Sequence, residues 1–137
     1  MRIFKVFFIF AFSCGKVQDI DIRDYEKGVY FYNIKNYDSS IFYLKSFLRK
    51  VPRYKEFSEK IINAHILLAK SLEERREYQL AILVYNELLK YIKRTPNAEK
   101  FLDSVYYGML VNYEKMRLKE QVEYYKKLLE KKSKNKK

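Results

Sequence analysis

Few side chains in this chain could carry out acid–base, nucleophilic or metal chemistry. There is one His and one Cys among 137 residues. His65 stands in an apolar stretch with helical spacing, where a lone histidine is usually packed and hydrogen-bonded rather than catalytic. Glu73 and Glu74, next to Arg75, are typical of a solvated helix end. One Cys forms neither an internal disulfide nor a cysteine-based zinc site, and the sequence has no Gly-rich phosphate loop or nucleophile motif. We therefore predict a protein that is not an enzyme and uses no metal or cofactor.

The first fifteen residues predict an export signal. A basic start is followed by an apolar run over residues 6–12, and the small residues Ala11 and Ser13 come just before Cys14. The run is too short to cross a bilayer, which needs about 20 residues. The layout resembles a bacterial lipoprotein signal, which implies that residues 1–13 are removed and that Cys14 is lipidated. A buried first helix with an incidental thiol and a signal cleaved without lipidation remain open.

Beyond Lys16 the apolar residues recur with helical rather than strand spacing. The clearest stripe runs through Tyr78, Ala81, Ile82, Tyr85, Leu88, Leu89 and Ile92. Three Gly and two Pro are too few for a hairpin-rich β fold. Pro52 is expected to end a helix, and Asn97 is a candidate N-cap. We predict six helices, near residues 20–34, 37–50, 55–75, 78–93, 98–116 and 119–132.

The helices form three pairs related by an internal repeat. The second helices align over Asn36–Leu48, Glu77–Leu89 and Arg117–Leu129, which places Ser40, Ala81 and Gln121 at one matching position. The pattern resembles the tetratricopeptide repeat, although its period exceeds the usual 34 residues. Twelve positions earlier, the small residues Gly28 and Ala69 permit close helix approach, and Gly108 lies one position off in the third pair.

The predicted fold is all-α, with three tetratricopeptide-like antiparallel helix pairs stacked as a short right-handed solenoid. An unrelated antiparallel helical bundle is the alternative. The predicted organisation is a lipoprotein-type signal peptide at 1–13, a linker at 14–19, a repeat domain at 20–125 and a basic tail at 126–137.

Stacked helix pairs curve, so the first helix of each pair is expected to line a concave groove. Tyr offers rigid amphipathic area, while Asn and Lys can bond an extended backbone or a terminal carboxylate. Counted along the repeat, the candidate partner-binding positions are Tyr25, Val29, Tyr32, Asn33, Asn63, Ile66, Lys70, Glu73, Asp103, Tyr106, Leu110 and Tyr113. Several of these tyrosines could instead pack between neighbouring pairs. Asn112, on an apolar stripe, is expected to form an inter-helix hydrogen bond.

Four segments suggest a family. Tyr25–Gly28, Tyr37–Ile41 and Phe47–Pro52 resemble the opening repeat of BamD, the lipoprotein of the outer-membrane β-barrel assembly machine, and Asp103–Leu110 is similar to the start of its third repeat. The resemblance covers residues 20–115, and this chain has three repeats where BamD proteins have about five. It implies a lipid-anchored scaffold on the periplasmic face of the outer membrane. Its implied partners are a BamA-like barrel protein, other assembly lipoproteins and unfolded barrel segments.

Two other classes of protein remain open: a pilotin-like lipoprotein of a secretion or pilus system, and a cytosolic helical adaptor. The formal net charge of +12 does not by itself indicate nucleic-acid binding. Much of it lies in the predicted signal and in the last twelve residues, which hold seven Lys and one Glu. That tail could contact anionic headgroups, but a solvated, fraying helix end is favoured, and we predict no nucleic-acid partner.

Overall fold

The computed structural model describes residues 22–136, which form helices and turns without a strand. The six α-helices are α1 (residues 22–33), α2 (Tyr37–Lys50), α3 (Ser58–Glu74), α4 (Tyr78–Arg94), α5 (Leu102–Lys115) and α6 (Lys119–Asn135). Short 3₁₀ helices, Lys55–Phe57 and Glu99–Phe101, lead into α3 and α5. The all-α class is confirmed, and the six helices lie where the periodicity predicts them. Only α6 extends clearly further, to Asn135.

Each helix packs against the next along the chain, and the core is one seam of apolar side chains between them. The stripe predicted for α4 supplies much of it, because Ala81, Ile82, Tyr85, Leu88 and Ile92 are all buried. This seam, rather than intrinsic helix propensity, stabilises helices of 14 to 17 residues such as α2 and α4.

Gly28 marks the close approach of α1 to α2. A Cβ atom at Gly28 would lie 2.5 Å from Cδ2 of Leu44, inside the distance that real carbon atoms keep. The Ser40 hydroxyl of α2 donates to the Gly28 carbonyl at 2.8 Å, and both residues are buried. The small residues at these two positions therefore serve the contact predicted for them.

The turns that follow α1, α3 and α5 share one backbone geometry. Lys35, Arg76 and Arg117 adopt left-handed φ angles of 62°, 61° and 58°. In each turn the next backbone N–H donates to the carbonyl five residues earlier, as Asn36 does to Phe31 at 2.8 Å. This 6→1 bond is the Schellman ending of a helix. The three left-handed residues lie 41 positions apart throughout, which defines the repeat in structural terms.

This period of 41 residues shows that the third segment of the sequence alignment, Arg117–Leu129, is misplaced by one residue. Val122, rather than Gln121, occupies the position of Ser40 and Ala81, because each of the three N–H groups makes the same first-turn bond to the N-cap residue of its helix. Gln121 is exposed, whereas Ser40 and Ala81 are fully buried.

The same register identifies the residues of α6 that correspond to buried positions of α2 and α4. The matching positions of the second helices in the first two pairs are apolar and buried; they are Ile41 and Leu44 of α2 with Val51 just after it, and Ile82, Tyr85 and Ile92 of α4. Their counterparts in α6 are Glu123, Lys126 and Ser133, which are exposed. In α6, exposed polar side chains therefore stand where α2 and α4 have buried apolar ones.

Asn97 does not cap a helix as predicted. It adopts a φ of 62° in the turn after α4, a conformation that Asn tolerates better than most residues. The chain then enters α5 through the 3₁₀ helix Glu99–Phe101, and the N-cap of α5 is Phe101, whose side chain makes no capping bond.

Candidate functional site

A cavity of about 720 Å³ opens beside the N-terminal halves of three helices that alternate along the chain. We call it the α1/α3/α5 cavity. Its walls are Tyr25 of α1, Glu59, Lys60 and Asn63 of α3, and Lys100, Phe101 and Ser104 at the start of α5. Two of the predicted binding residues, Tyr25 and Asn63, therefore lie together at one site.

Tyr25 and Asn63 are joined directly. The Asn63 side-chain amide donates to the Tyr25 hydroxyl at 2.7 Å, and the Tyr25 ring packs on Phe47 with 5.2 Å between centroids. Lys60 Nζ lies 6.0 Å from the centre of the same ring. The phenol is thus held in place from three sides, while the Asn63 side chain keeps a carbonyl oxygen and a second N–H that can bond an extended backbone. Lys100, which pairs with Glu59 at 3.5 Å, adds a cation that can meet a carboxylate.

The other predicted positions on α1 and α3 vary in exposure. Val29, Tyr32 and Ile66 are half-buried, while Asn33 and Lys70 are exposed. Burial raises the pKa of the Tyr32 phenol, and the neighbouring Tyr37, Glu74 and Glu73 raise it further. Tyr32 therefore stays a neutral donor at physiological pH.

The predicted residues of α5 do not line the cavity. Leu110 is buried at the position matching Gly28 and Ala69. Tyr106 and Tyr113 pack on Tyr125 of α6, with centroids 6.0 Å and 5.5 Å apart. Burial, followed by the three nearby tyrosines, raises the pKa of Tyr125 to about 12. For Tyr106, Leu110 and Tyr113 the packing role is the one that their contacts support.

Counting 41 residues from α3 finds the α5 positions that sequence reasoning missed. Ser104 matches Asn63 and lines the cavity. Tyr107 matches Ile66 and is 62% exposed, and Val111 and Glu114 follow in the same register. They can be found from the left-handed turn residues, which recur at a constant interval of 41 positions.

Glu73 is not a purely solvated helix end. Its Oε1 atom accepts a bond from the Asn112 amide at 2.6 Å and from the Tyr85 hydroxyl at 3.1 Å, so it links α3 to α5 and α4. The inter-helix bond predicted for Asn112 is confirmed. Burial raises the pKa of the Tyr85 phenol, and the Glu73 carboxylate raises it further, so this phenol remains a donor. Glu74 is exposed.

Asp103 contacts the basic end of α6. Lys132 and Lys136 place their Nζ atoms 3.3 Å and 3.2 Å from its carboxylate oxygens. Burial alone would raise the pKa of Asp103, but the hydrogen bonds and charges of the two lysines outweigh it and lower that pKa. The segment predicted as a tail is therefore helical and attached to α5 as far as Asn135.

The described residues contain no group of three or more His, Cys, Asp or Glu side chains that could hold a metal ion. Among residues 22–136 no helix is both long enough and apolar enough to cross a membrane. Cys14 and the predicted signal and linker lie outside the described residues.

The site and fold together define an all-α protein with a recess lined by side chains from α1, α3 and the start of α5. Comparison of the chain with protein-family models, with curated proteins and with solved structures finds no match in any of the three.

Proposed function

We propose that this protein is a non-catalytic scaffold built from tetratricopeptide-like helix pairs, and that it binds an extended segment of a partner protein in the α1/α3/α5 cavity. The observation that carries the proposal is the meeting of Tyr25, Asn63 and Ser104 around one recess. Each comes from the first helix of a different pair, as expected for a repeat array that presents one surface from equivalent helices.

The chemistry of the cavity suits a peptide. Tyr25 supplies a rigid aromatic face at little cost in side-chain entropy, and Phe101 adds apolar area at the other side. The Asn63 amide can bond a main-chain group, while Lys60 and Lys100 can meet a terminal or side-chain carboxylate. No step of this binding requires bond making or breaking, which agrees with a chain that has one His and one Cys.

The cellular setting that we propose rests on the sequence. The lipoprotein-like signal ending at Cys14 and the resemblance to BamD favour a lipid-anchored protein on the periplasmic face of the outer membrane. Its partners there would be a BamA-like barrel protein, other assembly lipoproteins and unfolded barrel segments.

The decisive experiment is co-purification of the full chain from membranes dissolved in mild detergent. We expect recovery of a BamA-like barrel protein, and we expect Asn63→Ala to reduce it. Asn86→Ala is the matched control, because Asn86 is equally half-buried but lies on α4 away from the cavity. Recovery of a secretin instead would favour a pilotin-like role, and equal recovery with both variants would refute binding at the cavity.

Anchoring is tested separately by labelling with radioactive palmitate. Lipidation at Cys14 predicts that Cys14→Ala loses the label while the protein still accumulates. Label that persists in the variant would contradict the anchor, and absence of label from both forms would favour a signal cleaved without lipidation or a cytosolic adaptor.

A further inference from the structure

A second recess lies between α3 and α4, away from the cavity described above. Its volume is about 760 Å³, and its lining comes from α3, from α4 and from the segments that flank them. We call it the α3/α4 cleft. Four cations line it, Arg53, Lys55, Lys90 and Arg94, against one carboxylate, Glu87.

None of these four cations forms an ion pair with another described residue, although six other lysines and arginines of the described range do. Within the cleft, Glu87 offsets only part of their charge. Because a cleft with low-dielectric walls focuses the field of its lining charges, this recess attracts anions more strongly than a flat surface with the same residues would.

Arg53 is exposed and lies against an aromatic ring. Its guanidinium carbon lies 5.6 Å from the centre of the Tyr91 ring, a distance at which the cation and the ring attract each other. The Tyr91 hydroxyl donates in turn to Ser58 Oγ at 3.2 Å, which ties the ring to α3. A planar fork of N–H donors positioned in this way suits the oxygens of a phosphate group, which it can bind through two bonds at once.

His65 forms part of the wall and is 4% exposed. Its Nδ1 atom lies 2.8 Å from the Ile61 carbonyl, so Nδ1 carries the proton and donates. Nε2 has no hydrogen-bond partner among the described residues and is not enclosed away from solvent. The ring stacks on Tyr91 with 6.4 Å between centroids. His65 is the only histidine of the chain and thus a unique reporter of this site.

We infer that the α3/α4 cleft binds a ligand that carries phosphate groups, with Arg53 beside Tyr91 as one contact and Lys55, Lys90 and Arg94 around it. Four cations against one carboxylate call for a ligand with more than one negative charge, which a phosphate group supplies on a small volume. A soluble phosphate ester and the headgroup of an anionic lipid share this chemistry.

The test uses inorganic pyrophosphate and the full chain, with the His65 ring resonance in a proton NMR spectrum as the readout. We expect a saturable shift of that resonance. Arg53→Gln and Lys90→Gln should each weaken binding about tenfold, since each removes a charge-assisted contact. Lys93→Gln is the matched control, because Lys93 is an exposed residue of the same helix outside the cleft.

The His65 titration gives a second readout. Burial, and then Arg53, lower the pKa of His65, while its bond to Ile61 and the Glu87 charge act in the opposite direction. A bound anion stabilises the imidazolium, so saturation with pyrophosphate should raise that pKa. The inference is overturned if sodium chloride at equal ionic strength produces the same shifts, or if Arg53→Gln and Lys93→Gln behave alike while both remain folded by circular dichroism.

Vesicles distinguish the two ligand sources. If phosphatidylglycerol vesicles sediment the wild type and the Lys93→Gln variant but much less of the Arg53→Gln variant, the ligand is a lipid headgroup. Saturable pyrophosphate binding without Arg53-dependent sedimentation indicates a soluble ester. Failure of both arms overturns the inference, and any sedimentation due to the basic end of α6 is common to all three proteins.

Discussion

The contact between Gly108 and Tyr85 allows a sharp test of how α4 and α5 pack. A Cβ atom at Gly108 would lie 2.4 Å from Cζ and 2.5 Å from the hydroxyl oxygen of Tyr85. The ring cannot move aside easily, because Tyr85 is 2% exposed and its hydroxyl bonds to Glu73. Unlike Gly28, which meets its own partner helix, Gly108 therefore serves the contact between the second and third pairs.

Gly108→Ala changes two opposing terms. Replacing Gly by Ala inside a helix stabilises by about 1 kcal/mol. Overpacking costs about 1–3 kcal/mol, and loss of the Tyr85 bond to a charged acceptor costs about 1.5–3 kcal/mol more. The net expectation is that Gly108→Ala lowers the free energy of unfolding by about 1.5–5 kcal/mol, depending on how far the ring can shift.

In a Tyr85→Leu background the sign should reverse. Leucine lacks the three ring atoms that a Cβ at Gly108 would meet, so only the helix-propensity term remains. Adding Gly108→Ala to Tyr85→Leu is therefore expected to stabilise by up to about 1 kcal/mol. Urea unfolding of the four proteins, followed by far-UV circular dichroism, gives the coupling energy directly. Gly28→Ala, which meets Leu44 instead, is the control and should cost the same in both backgrounds. Equal destabilisation by Gly108→Ala with either residue at position 85 would refute this account of the packing.

Three further predictions concern α6 and its contacts. Folding raises the pKa of Tyr125 from 10.0 to about 12, so its contribution to stability is complete below pH 10 and is lost as the pH rises toward 12. Tyr125→Phe should therefore remove one phenol that ionises late in a titration followed by phenolate absorbance, and an unchanged late phase would contradict the raised pKa. Glu123→Ile with Lys126→Tyr gives α6 the apolar residues that α4 has at Ile82 and Tyr85, and light scattering should then show self-association. A double variant that stays monomeric would show that this face of α6 does not pack against another helix pair. Asp103→Asn removes two surface ion pairs, so it should cost no more than about 2 kcal/mol. It should also speed amide exchange in the last turns of α6, and unchanged exchange would mean that the two lysines do not hold that end.

The helices could be predicted from the sequence because their determinants are local. The apolar stripe from Ala81 to Ile92 has the 3.6-residue period of a helix with one buried face. Five residues of this stripe are buried in α4: Ala81, Ile82, Tyr85, Leu88 and Ile92. Pro52 lies just beyond the end of α2, as expected for a residue that cannot continue a helix.

The third part of the candidate site could not be predicted, because its register depends on three-dimensional structure. In the sequence, Leu128–Leu129 matches Leu88–Leu89 and fixes the alignment that placed Tyr106 and Tyr113 in the groove. In the structure Leu129 alone corresponds to Leu88, and a slip of one residue turns a helix face by about 100°. Only the left-handed turn at Arg117, which is set by backbone hydrogen bonds, reveals the true register.

The α3/α4 cleft was invisible in the sequence for a related reason. Arg53 precedes α3, while Lys90 and Arg94 stand one turn apart on α4, and nothing in their spacing indicates that they surround His65. Their proximity follows from the antiparallel packing of α3 on α4 and from the short segment that leads into α3. Residues so far apart in the sequence form one site only after α3 and α4 have packed together.

The polar outward face of α6 bears on how such a chain can change in length. Duplication of an internal 41-residue unit would place the new second helix, with its apolar outward face, under the first helix of the following unit. A helix pair placed after α6 would instead meet Glu123, Lys126 and Ser133, which offer it no apolar surface to pack against. For a helix pair to pack on α6 as closely as α5 packs on α4, these three residues of α6 would first have to become apolar.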